Sequence, residues 1–409
     1  MSGVSFLQAA PSRPGSAAPV GFPAGGIGHG IGHVVPMTAK STGTAAHDTA
    51  AGLHDACLAS LRAAVANYET VDLAVTATAL EPLEETTKTI PQQYRLRGRP
   101  AIDWMWLHAA VTTAAAATAY DRGQHARAAS RADRAASLAR AAGDGPLAAR
   151  ALALRARVVR PHSPAVALQI AGSAARIAGR SPTRALISGK VASSACAAAG
   201  DAAGVRDAVA RAWATMAELG EEAHGRPGFS LDTYSPADLA LACAEALTTV
   251  GAADEATPYL ERAASLIARS GQTGMIVSVR MAQSRAAIAR AFPDRDEAIE
   301  HASEAVTLAA RRPAEWVARL VRDVSDLAEI RTGHGFDDLV AVTAGWIAAP
   351  EPLPPGSSRA ADAADTAAGT ADTAAGTADF AAMPRSSGMS TVPAPRRARA
   401  SWQGGVDEL

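Results

Sequence analysis

The stretch AYDRGQHARAASRADRAASLARAAGDGP (residues 119–146) sets a glycine near each end of a run of alanines and arginines. Alanine has the highest intrinsic helix propensity, and glycine is the residue most often found just past the end of a helix. We therefore interpret the stretch as a helix that follows a break at Gly123 and ends at a second break at Gly143. Alanine-rich helices lie on both sides, so the fold depends on whether the break recurs.

The break recurs along the chain at Gly123, Arg160, Gly200, Gly251 and Pro293, which lie 37, 40, 51 and 42 residues apart. Counting seven residues back, five forward and twelve forward from each marker gives fifteen positions, of which fourteen are Ala, Gly or Ser. These positions are Ala116, Ala128, Ala135, Ala153, Ala165, Gly172, Ser193, Val205, Ala212, Ala244, Ala256, Ala263, Ala286, Ala298 and Ala305. A recurring helical hairpin with small contact positions predicts an α-solenoid.

Helix-start signals support the same register without relying on alanine. Ser163-Pro164, Ser181-Pro182 and Ser235-Pro236 each place a hydroxyl at an N-cap and a proline at the first helical position. The long interval of 51 residues contains the insertion GEEAHGRPGFSLDTY at residues 220–234.

The motifs Y-x-x-G-x-H (residues 120–125) and A-x-x-Y-L-E-R-A (residues 256–263), together with the small positions, resemble tetratricopeptide repeats. The resemblance covers residues 109–312 in five degenerate units and implies an all-α, right-handed α-solenoid of helical hairpins. The early tryptophan and the closing proline of that repeat are mostly absent here, which leaves the repeat boundaries open by several residues.

A narrower resemblance involves LASLRAAVANYETVD (residues 58–72) and ARAAGD (residues 139–144). These segments are similar to the C-terminal helical-repeat half of high-GC bacterial transcription regulators whose N-terminal helix-turn-helix is of the xenobiotic-response-element type. The resemblance implies a sensing or dimerising role. Residues 1–50 are rich in glycine and proline instead of carrying two short helices, so we do not carry DNA binding over.

Composition divides the chain into three regions: a disordered leader at residues 1–50, the solenoid at residues 51–347 and a low-complexity disordered tail at residues 348–409. The solenoid comprises two leading helices, about five repeats and C-terminal capping helices. GIGHGIGH, at residues 26–33, lacks the flanking strand and helix of a phosphate-binding loop.

Charge, cysteine content and hydrophobicity indicate which partners and which cellular compartment to expect. The formal net charge of −1 gives no general attraction to nucleic acid or membrane. The three cysteines are far apart in apolar helical contexts, which predicts reduced, buried thiols. No secretory signal or long apolar span is evident, so we expect a cytoplasmic protein without membrane contact.

Candidate catalytic groups are few. The sequence contains no metal-spaced Cys/His set and no nucleophile or nucleotide-binding motif. We expect His108, His125 and His301 to be structural or solvated, and Glu81, Glu84 and Glu85 to form a solvated helix face. We therefore predict no catalytic residue, metal or cofactor.

Apolar residues at each end of the solenoid are expected to close the helix stack. Trp104 and Trp106 precede the first repeat and are expected to cap it, with at least one of them exposed. Apolar residues at helical spacing near the C-terminal end of the solenoid are expected to be core: Trp316, Val317, Leu320, Val324 and Leu327.

The repeat register predicts a concave groove in which cations outnumber anions. Its lining positions on the first helices are Thr113, Tyr120, Arg150, Leu154, Arg157, Lys190, Ser194, Leu241, Glu245, Gln283 and Arg290. Such a groove suits an extended peptide or a helix with carboxylates, held by charge-assisted hydrogen bonds.

The predicted function is therefore a non-catalytic protein- or peptide-binding regulatory module. Two alternatives stay open: a transcription regulator that binds DNA through an element such as the basic tail at Arg396, Arg397 and Arg399, and an enzyme with an unfamiliar site. Homo-oligomerisation is a further prediction that the pattern leaves without a stoichiometry.

Overall fold

The computed structural model describes residues 43–268 and 270–347. Within these residues the chain is helical and has no strand, which confirms the all-α prediction. The helices, in chain order, are α1 (Gly43–Ala66), α2 (Leu73–Gln93), α3 (Gly98–Asp121), α4 (His125–Ala141), α5 (Gly145–Val159), α6 (Pro164–Ala178), α7 (Pro182–Leu186), α8 (Ser193–Ala198), α9 (Ala202–Ala217), α10 (Pro236–Thr249), α11 (Ala253–Ile267), α12 (Thr273–Ala289), α13 (Arg295–Ala309), α14 (Glu315–Thr332) and α15 (Asp337–Thr343).

The predicted leader overlaps with helix α1. This helix begins at Gly43, so residues 43–50 are helical and belong with the helices that follow. The glycine-rich segment at residues 26–33 and the predicted tail from residue 348 lie outside the described residues.

Helices α3 to α13 form five hairpins. The pairs are α3–α4, α5–α6, α7/α8–α9, α10–α11 and α12–α13. The first helix of the third hairpin is continuous from α7 to α8 through a π-helical stretch at Ile187–Ala192. This all-α helical-repeat fold is preceded by α1 and α2 and followed by α14 and α15.

The small positions lie where the helices of a hairpin meet. Thirteen of the fifteen counted positions are at most 2% exposed, for example Ala128, Val205 and Ala263 at 0%. Small side chains at these contacts let the two backbones of a hairpin approach closely.

Two of the fifteen positions, Ala165 and Gly172, were predicted wrongly, because both are exposed. Arg160 lies four residues before the start of α6 at Pro164, whereas each other marker lies two residues before its second helix. Counting forward from Arg160 therefore stops two residues short. The buried contact positions of α6 are Ala167 and Ala174, both 0% exposed.

Glycines form the tight turns at three of the five markers. Gly123, Gly200 and Gly251 have φ angles of 75°, 71° and 78°, in the left-handed region that other residues adopt at a cost. Predicted N-caps also form: Ser163 accepts a hydrogen bond from the amide of Val166 and Ser235 from that of Ala237, whereas Ser181 makes no such bond.

The two ends of the helix stack contact each other. Arg312, between α13 and α14, donates to the carbonyl oxygens of Tyr68 (2.7 Å) and Val71 (2.6 Å) in the α1–α2 turn. On α14, Arg319 lies 3.1 Å from Nε2 of His125 at the start of α4. One buried apolar cluster accordingly contains residues of both α3 and α14.

The predicted capping residues are mostly buried. Trp104 is 2% exposed, and the partly buried Trp106 donates its indole N–H to Asp144 over 2.8 Å, so neither tryptophan of this pair is exposed. On α14, Val317 and Val324 are each 1% exposed. Trp316, Leu320 and Leu327 are partly buried against the same cluster.

The thiols of Cys57, Cys196 and Cys243 are free and buried, as predicted. Among the described helices, none combines the length and apolarity that a membrane crossing requires.

Candidate functional site

The first helices of the first four hairpins present polar side chains to one shared surface, which we call the inner surface. Its members are Tyr120 and Asp121 of α3, Arg150 and Arg157 of α5, Lys190 of the π-helical stretch, and Asp238 and Glu245 of α10. Electrostatic interactions connect these groups across helices: Asp238 interacts with Lys190 and Arg150, and Arg157 with Asp121 and Glu245.

The segment between α9 and α10, residues 218–235, lies on this surface. We call it the inserted segment. Arg150 is 5% exposed and donates hydrogen bonds from its guanidinium group to the carbonyl oxygens of Ser230 and Thr233, the second over 2.6 Å. Charged donors form the stronger class of hydrogen bonds, so Arg150 fixes this part of the segment through its backbone.

The segment also forms a local turn that presents these two carbonyls. The hydroxyl of Ser230 accepts hydrogen bonds from the amide (3.2 Å) and the hydroxyl (2.8 Å) of Thr233, and it donates to Asp232. Serine and threonine side chains stabilise such turns by bonding to nearby backbone groups. The turn brings both carbonyls within reach of one guanidinium group.

Two carboxylates hold consecutive backbone amides of the inserted segment. Asp238 accepts from the N–H of Gly228 over 3.0 Å, and Glu69 of the α1–α2 turn accepts from the N–H of Phe229 over 3.0 Å. The inserted segment is therefore bound by side chains of α5, α10 and the α1–α2 turn, which are far apart in sequence.

The carboxylates and the guanidinium group that bind the segment all have shifted pKa values. Burial, reinforced by the charge of Asp121 and opposed by Arg312, raises the pKa of Glu69 to about 7. Burial raises the pKa of Asp238 to about 6 against the opposing charge of Lys190 and the hydrogen bond from Gly228. Burial also lowers the pKa of Arg150 to about 10. Loss of water accounts for the largest part of each shift.

An aromatic contact fixes Phe229. Its ring centroid lies 4.6 Å from that of Tyr68 at an interplanar angle of 32°. Tyr68 is 3% exposed, and its hydroxyl donates to Asp121 over 2.7 Å. The guanidinium carbon of Arg312 lies 5.9 Å from the Tyr68 ring centroid. The α1–α2 turn thus provides both a carboxylate and an aromatic ring to the inserted segment.

Arg157 and Tyr120 form a second feature of the inner surface. The guanidinium carbon of Arg157 lies 4.3 Å from the Tyr120 ring centroid, within the range of a cation–π interaction. Burial opposes the charge of Arg157, but Tyr120, Asp121, Tyr68 and Glu245 together raise its pKa. Arg157 therefore stays charged on this surface.

Comparison with protein-family models gives no match to the chain. Comparison with curated proteins gives none either. Support for a function therefore comes from the residues of the inner surface themselves.

The structure brings together five of the eight residues predicted to bind a ligand: Tyr120, Arg150, Arg157, Lys190 and Glu245. The predicted lining residues Thr113, Leu154 and Leu241 are buried in the core, at 0%, 6% and 7% exposure.

Three predicted groove residues contact nearby residues of the helices instead of the inserted segment. Ser194 donates to the carbonyl oxygen of Lys190, Gln283 accepts from Arg280 over 3.0 Å, and Arg290 pairs with Glu297 of α13 over 2.5 Å. Among the described residues, none of the three forms a hydrogen bond or an ion pair with the inserted segment.

Sequence reasoning missed the residues that complete the surface, namely Tyr68, Glu69, Phe229 and Asp238. The one signal that pointed to them was the insertion itself, which interrupts the repeat spacing and contains an aromatic residue next to a glycine.

The other candidate polar groups have structural partners. His108 is 7% exposed, and its Nδ1 lies 3.0 Å from the hydroxyl of Thr87. Glu84, expected on a solvated face, is partly buried and pairs with Arg131 over 2.9 Å. Among the residues that the structure describes, no group of three or more His, Cys, Asp or Glu side chains is arranged to hold a metal ion.

Proposed function

We propose that the chain is a non-catalytic peptide-binding module whose inner surface recognises an irregular, non-helical peptide segment mainly through its backbone. The observation that supports this most directly is the paired hydrogen bonding of Arg150 to the carbonyls of Ser230 and Thr233. A surface that binds backbone groups of its own chain through a buried cation has the chemistry to bind another peptide in the same way.

The charged residues around Arg150 support the same proposal. Arg157 and Lys190 interact electrostatically with groups that contact the inserted segment, Arg157 with Tyr68 and Lys190 with Asp238. A peptide with carboxylates would gain attraction from both. The sequence resemblance to the helical-repeat half of bacterial transcription regulators supports a regulatory setting for this binding.

The experiment uses a full chain in which the inserted segment has been shortened. Replacing residues 219–234 with Gly-Arg gives the linker Gly-Arg-Ser-Pro before α10, the same four residues that lead from α6 into α7 at residues 179–182. This variant, which we call the opened variant, is panned against a displayed library of random peptides. Peptides should be enriched, because the backbone-binding groups no longer have their internal partner.

Charge reversal identifies where the enriched peptides bind. Arg157→Glu and Lys190→Glu in the opened variant should each weaken binding of those peptides by about tenfold or more, as expected for a lost charged contact. Arg176→Glu is the matched control, since Arg176 is exposed on α6 of the same hairpin as Arg157. Absence of enriched peptides, or equal binding to all three reversals, would contradict the proposal.

A further inference from the structure

We infer that the inserted segment is an internal ligand that occupies the inner surface, and that the external partner is a peptide carrying a glycine followed by an aromatic residue and a short turn. This inference rests on the proposed function and specifies its ligand. It follows from the contacts that the segment makes with four side chains outside itself: Tyr68, Glu69, Arg150 and Asp238.

The first requirement on the ligand is glycine at the position of Gly228. The φ angle there is 104°, in the region that side chains disfavour. A Cβ atom at this position would lie 2.5 Å from Cγ of Glu69. Because Glu69 also accepts the hydrogen bond from Phe229, it cannot move aside without giving up that contact. The surface therefore selects glycine by close approach.

The second requirement is an aromatic residue directly after the glycine. Phe229 packs against the ring of Tyr68 and is partly buried between two apolar clusters of the fold. Aromatic pairs of this kind contribute beyond their buried area. The amides of Gly228 and Phe229 donate to the carboxylates of Asp238 and Glu69. Together with the Tyr68 ring, three side chains therefore fix the position of the pair.

The third requirement is a turn that presents two carbonyl oxygens to Arg150. In the inserted segment these belong to the residues one and four places after the glycine–aromatic pair, Ser230 and Thr233. The hydroxyl bonds between Ser230 and Thr233 hold this geometry. A ligand of the form Gly-aromatic-Ser-x-x-Thr would meet all three requirements.

The part of the inserted segment up to Thr233 has the properties of a replaceable occupant, whereas Tyr234 is 4% exposed within a buried apolar cluster. This part has no helix or strand of its own apart from one 3-10 turn at Glu221–Ala223, and its bonds to the inner surface are made by side chains of other elements. An external peptide with the same pattern would compete for those side chains. Occupation by the internal segment would then keep the affinity for weakly matching peptides low.

The test is binding of a labelled synthetic peptide of residues 224–235, HGRPGFSLDTYS, measured by fluorescence anisotropy. It should bind the opened variant and should bind the unaltered full chain at least about tenfold more weakly, because the surface of the full chain is occupied. Peptides with Gly228→Ala or Phe229→Ala should lose about tenfold or more in affinity for the opened variant. A peptide with Arg226→Ala is the matched control, since Arg226 is exposed.

The outcomes separate this inference from the proposed function. If library peptides bind the opened variant in an Arg157-dependent way but the HGRPGFSLDTYS peptide does not bind or compete, the internal-ligand inference is overturned and the proposed function stands. If neither binds, both are overturned. Equal binding of the native and Gly228→Ala peptides would overturn the requirement for glycine.

A second variant covers the case in which the opened variant does not fold, as judged by circular dichroism. The full chain with Gly228→Ala keeps every other residue but cannot seat its own segment at Glu69. It should bind the native peptide more tightly than the unaltered chain does, and its amides at residues 228–234 should exchange hydrogen faster. Unchanged exchange together with unchanged binding would overturn the inference.

Discussion

Arg312 and Tyr68 are 244 residues apart in the chain, yet the guanidinium group of Arg312 donates to the backbone carbonyl of Tyr68 over 2.7 Å. The same side chain donates to the carbonyl of Val71 over 2.6 Å. This one residue thus connects the turn after the first helix to the linker before α14, and it holds the α1–α2 turn where Glu69 can reach the inserted segment.

Replacing Arg312 with alanine should lower the free energy of unfolding by about 2 kcal/mol, because two carbonyl oxygens lose a charged donor. Chemical denaturation of the full chain measures this. Arg311→Ala is the matched control, since the neighbouring Arg311 is exposed and should be near neutral. Equal effects of the two substitutions would show that Arg312 does not hold the ends together.

The register of α6 determines which of its alanines cannot be enlarged without loss of stability. Ala167→Leu should destabilise the chain by about 1–3 kcal/mol, because Ala167 is 0% exposed and the helices leave no room for a larger side chain. Ala165→Leu, two residues earlier and exposed, should change stability by less than about 0.5 kcal/mol. Thermal melts of both variants check this, and a larger loss for Ala165→Leu would mean that α6 packs in the other register.

Because of the raised pKa of Glu69, we expect the free energy of unfolding to fall as pH rises. Its pKa is about 7 in the folded chain against an ordinary value of 4.5, so between these values the folded chain binds more protons than the unfolded chain. The stabilising contribution of Glu69 is present below pH 4.5 and is lost as pH rises through 7. We expect this contribution to be about 3 kcal/mol, the free-energy equivalent of the change in pKa.

Glu69→Gln should flatten this part of the pH profile, as urea denaturation at several pH values between 4.5 and 8 would show. The groups that face Glu69 are Asp121, Asp238 and Arg312. The pKa of Asp238 is also raised, to about 6, so Asp238 likewise makes stability fall as pH rises. The Glu69→Gln variant keeps this smaller pH dependence. Glu221→Gln, at an exposed position of the inserted segment, is the control. The prediction would be contradicted if Glu221→Gln changed the pH profile of stability as strongly as Glu69→Gln does.

The thiols should differ in reactivity with a water-soluble disulfide reagent. Burial raises the pKa of Cys243 to about 12, and that residue is 0% exposed, so it should be labelled only when the chain unfolds. Cys57 and Cys196, at 9% and 7% exposure, should be labelled earlier. Mass spectrometry of peptides after timed labelling gives the order, and early labelling of Cys243 would show that α10 opens in the native state.

The sequence was sufficient to predict the hairpins because their signals are local. A glycine such as Gly200 marks a turn by its own backbone conformation, and a contact position such as Ala212 lies at a fixed distance along the chain from it. Ala165 and Gly172 were placed wrongly because the count started from Arg160, although Ser163-Pro164 marks a later start of the second helix there.

The completed inner surface could not be predicted in the same way. The contact of Phe229 with Glu69 joins residues 160 positions apart, and neither belongs to the repeat pattern. Arg150 was identified as a binding residue, but its partner was expected to be a carboxylate of another molecule. Its actual partners are two carbonyls of its own chain, which carry no signature in the side-chain sequence.

The contacts between the two ends of the helix stack affect how such a protein could gain or lose hairpins. In an open array each unit touches only its neighbours, so a unit can be duplicated or lost while the rest is preserved. Here an extra hairpin would carry Arg312 and Arg319 away from Tyr68 and His125. The contacts between the two ends therefore favour a fixed number of hairpins, whereas a segment between helices, such as residues 218–235, can lengthen without moving either end.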